Sequence, residues 1–130
     1  MTYTTLSGIY VSIVADIKIL VVDDDLQMRE LLHAFLSFGG YQVESAANGF
    51  EALSLVEKGG YNLIITDYEM PILNGVEFVK KVREKWTSLP VLAVSSSDVE
   101  VLFLEAGADL FILKPFNLKG LREKIESLSS

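Results

Sequence analysis

Apolar and polar positions follow two alternating rhythms along the chain. Ile17 to Val22 is a near-continuous apolar run, broken only by Lys18, that stops at Asp23-Asp24-Asp25. Met28, Leu31, Leu32, Phe35 and Leu36 then recur at helical spacing until Gly39-Gly40 ends the helix. Tyr41 to Ala46 reads as a second strand. Asn48-Gly49 is a turn, and Ala52, Leu53 and Val56 define a helix ending at Gly59-Gly60. Leu63 to Ile65 is a third apolar run, closing on Thr66-Asp67. Asn74-Gly75 opens a helix with Phe78, Val79, Val82 and Trp86 on one face. Pro90 to Val94 is a fourth run, closing on Ser95-Ser96-Ser97. A short helix from Val99 to Ala106 follows, closed by Gly107. Leu110 to Leu113 is the fifth run, closing on Lys114-Pro115, and Leu118, Leu121, Ile125 and Leu128 mark the last helix.

This pattern predicts five strand–helix units. Strands that are apolar throughout are buried on both faces, which implies a parallel sheet covered by helices, an α/β doubly wound fold. Residues 17–130 form that domain. Residues 1–16 stand apart as an N-terminal extension, with Ile9, Val11 and Ile13 in weak alternation; the default reading is an unstructured tail, with an extra strand on a sheet edge or a misassigned start as the alternatives.

Composition narrows the function. The 130 residues suit one domain. Eighteen acids against 11 Lys and Arg give a net charge of −7, which disfavours direct nucleic-acid binding and favours cations and basic partners. With no cysteine, thiolate metal sites and disulfides are excluded, and a single histidine, His33, argues against a zinc site or a histidine-based triad. His33 falls on the polar side of its helix. Mean hydropathy is high at +0.36, yet no run approaches a spanning length and no signal peptide is evident. The expected location is therefore the cytoplasm, without membrane contact.

In an open α/β sheet, ligands bind at the carboxyl ends of the strands. The first strand ends in Asp23, Asp24 and Asp25, the third in Asp67, the fourth in Ser95 and the fifth in Lys114. Carboxylates gathered there raise one another's pKa and call for a cation. Ligands that are all oxygen point to Mg²⁺, with the lysine as a second counter-charge. Asp25 is assigned to capping the first helix.

Four motifs in this order resemble the receiver domain of two-component response regulators, chemotaxis receivers among them, over about Ile17 to Leu128. They are Val21-Val22-Asp23-Asp24, Thr66-Asp67-Tyr68-Glu69-Met70-Pro71 with Asn74-Gly75, Val94-Ser95, and Lys114-Pro115-Phe116. The resemblance implies a flavodoxin-like, five-stranded parallel sheet of order 2-1-3-4-5. It implies that Asp67 is the phosphoacceptor, and that Asp23, Asp24, Asp67 and the backbone carbonyl of Glu69 hold Mg²⁺. Asp24 would ligate directly, and Asp23 largely through water. Ser95 and Lys114 would meet the other phosphoryl oxygens. Ser95 and Phe111 would form the switch, and Lys114–Pro115 would be cis. The implied partners are a histidine kinase or histidine phosphotransfer protein and a downstream effector protein. The chain would be a phosphoacceptor signalling protein that turns over only itself. It stops after the fifth helix, which predicts a shuttle, a relay intermediate or a regulator acting by direct binding.

Glu69, two residues beyond Asp67, could strengthen metal binding or pair with Lys114 in the absence of metal. The segment between Ser95 and Gly107 is shorter than the usual receiver pattern by nearly one helical turn. With Val99, Leu102, Phe103 and Ala106 facing the core, Val101 and Leu104 point outward, a candidate partner or homodimer interface through the fourth and fifth units. Two other functions are weighed. Asp23-x-Asp25 after an apolar strand also resembles the start of haloacid-dehalogenase-like phosphatases, with Asp23 as nucleophile and Asp25 as general acid. A pseudo-receiver that no longer phosphorylates is the other.

Overall fold

The computed structural model describes the backbone of residues 2–6 and 9–13 and all of residues 16–129. Strands β1 (Thr2–Leu6) and β2 (Ile9–Ile13) pair antiparallel as a two-stranded ribbon separate from the main sheet. The extension read as a tail is therefore paired in this stretch; its β-branched residues favour extended backbone. The side-chain alternation of Ile9, Val11 and Ile13 lies outside the described residues.

The main sheet contains β3 (Lys18–Val22), β4 (Gln42–Ala46), β5 (Leu63–Asp67), β6 (Val91–Ser95) and β7 (Leu110–Leu113). All are parallel, in the spatial order β4-β3-β5-β6-β7, which is order 2-1-3-4-5 counted within this sheet. Five helices alternate with them: α1 (Leu26–Phe38), α2 (Gly49–Lys58), α3 (Gly75–Arg83), α4 (Glu100–Ala106) and α5 (Leu118–Ser129).

Three apolar runs become the buried strands β3, β5 and β6 because both faces are covered; the fifth run, β7, expected to be buried as well, is only partly buried, with Leu113 half exposed, because it lies at the sheet edge. Leu20 and Val22 of β3 enter a core shared with α2, α3 and α4, where Phe78 and Phe103 are fully buried. Ile19 and Val21 enter the opposite core with Leu32 and Leu36 of α1 and Leu121 and Ile125 of α5. Each fully buried side chain of this kind contributes about 1.5–3 kcal/mol.

Helix starts follow local chemistry. Asp25 caps α1 by accepting from Gln27 N–H, and Asn48 caps α2 by accepting from Glu51 N–H. Asn74 and Glu77 form a reciprocal capping box on α3. The short α4 begins at Val99 with no side-chain cap and ends at Gly107, whose φ of 114° suits glycine. Two expectations need correction. Helix α3 stops at Arg83, so Trp86 lies in the turn beyond it, partly buried against the core. Leu102, assigned to the core face of α4, is 48% exposed, because the short helix turns only Phe103 and Ala106 fully inward.

Candidate phosphoacceptor and cation site

The sheet order sends β3 toward β4 on one side and leaves β5 on the other, so the crevice opens at the carboxyl ends of β3 and β5. Asp23 directly follows β3, and Asp67 is the last residue of β5. One carboxylate oxygen from each of Asp23, Asp24 and Asp67 lies within 4.8 Å of the others. Asp23 and Asp67 are buried and Asp24 is exposed. Lys114, just beyond β7, reaches across with Nζ 3.3 Å from Asp67 Oδ1 and 3.4 Å from Asp23 Oδ2. The Lys114–Pro115 peptide is cis.

The acids are held rather than loose. Asp25 N–H donates to Asp23 Oδ1 at 2.9 Å, and Arg29 Nη1 donates to the Asp23 carbonyl at 2.7 Å. Thr66 Oγ1 donates to the Asp67 carbonyl at 3.0 Å. Gly75 packs against that same carbonyl, where a Cβ would collide with it and come within 2.8 Å of Phe103. Ser95, fully buried at the end of β6, accepts from Ser97 N–H at 3.0 Å, and Lys114 N–H donates to its carbonyl at 2.7 Å. Phe111 of β7 is partly buried and packs on Phe103, ring centroids 6.0 Å apart.

Burial pushes both buried carboxyls above the ordinary aspartate range. For Asp23 desolvation outweighs the Asp25 N–H and Lys114. For Asp67 desolvation comes first and the negative charge of Asp23 adds to it, against Lys114. One ammonium does not balance three carboxylates. The donors are all oxygen and their charge is in excess, so a hard divalent cation such as Mg²⁺ fits this set.

The remaining sequence candidates fall as follows. Asp25 points to the α1 N-terminus and stands outside the acidic group, which deprives the phosphatase reading of its general acid. His33 is exposed. Val101 and Leu104 are 65% and 45% exposed. The Glu69 side chain is exposed and its Oε1 accepts from Ser97 Oγ at 3.0 Å; it does not pair with Lys114, which is engaged by the two buried acids. Sequence reasoning missed Arg29, Ser97 and the packing role of Gly75. Ser97 was only one of three consecutive serines, and nothing in the spacing of Arg29 announced a bond to a carbonyl six residues back.

The sequence matches the family described as response regulator receiver domain over residues 19–126. The chain belongs to the response regulator receiver family. Its relatives include the response regulator MprA of Mycobacterium leprae, 40% identical over 114 residues, which are 85% of this chain and 50% of that protein. The transcriptional regulatory protein CpxR homolog of Haemophilus influenzae is 41% identical over 85% of this chain and 49% of its own length. This receiver therefore spans about half the length of the curated relatives it matches. Among solved structures, the chemotaxis protein CheY4 of Vibrio cholerae superposes with a TM-score of 0.83 at 34% identity, covering 88% of this chain and 99% of that one. The response regulator TrrA of Thermotoga maritima, solved in complex with Mg²⁺ and BeF, gives 0.81 at 35% identity, over 86% of this chain and 98% of that one. The family supports a phosphoacceptor role in two-component signalling and does not favour the phosphatase or pseudo-receiver alternatives.

Proposed function

We propose that this receiver takes a phosphoryl group onto Asp67 from a histidine kinase or a histidine phosphotransfer protein. The observation that carries the reading is the placing of Asp67. It is a buried carboxylate at the end of a central strand, beside an ammonium and within reach of two further acids. A carboxylate oxygen of Asp67 attacks phosphorus, the bond from phosphorus to the donor imidazole breaks, and the imidazole leaves. The product is an acyl phosphate, which water later returns to the carboxylate and inorganic phosphate. Turnover is of the protein itself. Burial and the charge of Asp23 make Asp67 a stronger base than a solvated aspartate, and Lys114 offsets part of that rise and orients the carboxylate.

Asp24 and Asp67 directly, Asp23 largely through water, and the carbonyl of Glu69 are the groups that would hold Mg²⁺. The ion, when bound, neutralises charge on the transferring phosphoryl oxygens. Lys114 and the Ser95 hydroxyl serve the other oxygens. Drawing Ser95 toward them frees space for Phe111 and shifts the surface of α4 and β7. Val101, Leu102 and Leu104 with Leu113 of β7, each at least 45% exposed, give that surface an apolar character suited to an effector protein or a second copy of the chain.

Among the described residues no helix is long and apolar enough to cross a membrane. We place the chain in the cytoplasm, in direct contact with proteins rather than nucleic acid. Transfer of label from a histidine-phosphorylated phosphotransfer protein tests the function. Label should reach the wild type readily, Asp23→Ala more slowly, and Asp67→Asn not at all. Phosphate-ester hydrolysis that survives in Asp67→Asn and vanishes in Asp23→Asn would favour the phosphatase reading instead.

A further inference from the structure

Glu69, two residues beyond Asp67, is exposed, and its carboxylate bonds Ser97 rather than Lys114. Its hydrogen bond from Ser97 Oγ, 3.0 Å long, joins the β5–α3 connection to the β6–α4 connection. Ser97 then turns inward, its backbone N–H donating to Ser95 Oγ at 3.0 Å. Three residues thus form one chain from solvent to a fully buried hydroxyl at the end of β6.

We propose that Glu69 and Ser97 form a latch that holds the Ser95 hydroxyl in its resting position, which makes Ser97 a positioning residue for the switch. The inference rests on the phosphoacceptor reading above. Helix α4 is fastened unequally. At its C-terminal end Arg83 Nε donates to the Gly107 carbonyl at 2.9 Å, and Arg83 Nη2 donates to Asp109 at 3.1 Å. At its N-terminal end Val99 supplies no cap, and the latch lies in the connection just before it. Drawing Ser95 toward a phosphoryl group carries Ser97 along and stretches its bond to Glu69. The added negative charge on Asp67 pushes Glu69 outward and loosens the same bond. The latch therefore favours the resting arrangement, and its loss favours the phosphorylated one.

Beryllium fluoride with saturating Mg²⁺, a non-covalent stand-in for the phosphoryl group, is the probe. Ser97→Ala removes the hydroxyl while keeping the backbone N–H and the net charge. Binding should tighten about twofold to tenfold, the span of one net hydrogen bond. The melting temperature of the ligand-free protein should stay level or fall. General loosening would instead weaken both. Ser97→Thr, which keeps a hydroxyl, should restore wild-type binding. Glu69→Ala, which removes the acceptor, should tighten binding in the wild type and do so less in the Ser97→Ala background. Equal effects in both backgrounds would overturn the latch, as would unchanged or weaker binding by Ser97→Ala. A wild type that binds no beryllium fluoride overturns the Asp67 reading and the latch with it, whereas failure of the latch alone leaves wild-type binding intact.

Discussion

Replacing Asp67 by Asn should stabilise the metal-free protein at neutral pH. The two Coulomb terms at Asp67 nearly cancel. Repulsion from Asp23 at no more than 4.8 Å is at least about 3.5 kcal/mol at an effective dielectric of about 20. Attraction to Lys114 at 3.3 Å is about 5 kcal/mol on the same scale, and the exposed Asp24 erodes the difference. Desolvation then decides the sign, since burying an ion costs several kcal/mol. The amide introduced by Asp67→Asn would still accept from Lys114 without carrying a charge. The expected gain is about 1–3 kcal/mol, at roughly 3–5 °C per kcal/mol for a domain of this size. The pH dependence follows from the raised carboxyl. A native state that binds the proton more tightly than the unfolded chain loses stability as pH rises through the native value. The wild-type penalty is thus fully present above the raised native value, shrinks on acidification through it, and is gone below the ordinary 3.8. Thermal melts of both proteins in EDTA from pH 7 to pH 4 read the gap, and Mg²⁺ should close it by stabilising the wild type more. A variant less stable than wild type in EDTA at pH 7, or an advantage that grows as pH falls, would refute the reasoning.

Other substitutions probe the scaffold and the surface. Gly75→Ala, whose Cβ would strike the Asp67 carbonyl and Phe103, should cost about 3 kcal/mol in denaturant melts and weaken Mg²⁺ binding measured by calorimetry. Ile72 is 88% exposed with φ of 71°, an uncommon state for a β-branched residue, and it centres a tight turn closed by Leu73 N–H on the Pro71 carbonyl. Ile72→Gly should therefore raise stability by about 1 kcal/mol, read as a shift in the denaturant midpoint at constant slope. Replacing Val101 and Leu104 by polar residues should leave phosphorylation intact and reduce self-association or effector binding in sedimentation and pull-down assays. No change in either would remove that surface from the account.

Most of the fold was legible because the apolar runs are continuous and each ends on a polar or acidic residue. Both signals survive into the structure as the buried strands β3, β5 and β6 with Asp23, Asp67 and Ser95 at their ends, while β7, which leads to Lys114, is only partly buried at the sheet edge. The helices were legible where a capping residue and a glycine bracket a periodic face, as for α1 and α2. Trp86 misled because its spacing continues the α3 periodicity past the point where the backbone turns away. Leu102 misled because a seven-residue helix has too few turns for spacing to fix its facing. The second layer of the site was not legible. Arg29 and Ser97 act through backbone groups and a cross-loop bond, and a residue's spacing along the chain says little about contacts across 28 residues.

Intact mass after incubation with acetyl phosphate tests the central claim most directly, with Mg²⁺ or EDTA and with Asp67→Asn alongside. The account predicts one added phosphoryl group on the wild type in Mg²⁺, none in EDTA and none on Asp67→Asn. A phosphoryl group of the same yield on Asp67→Asn, or one formed equally well in EDTA, would contradict it.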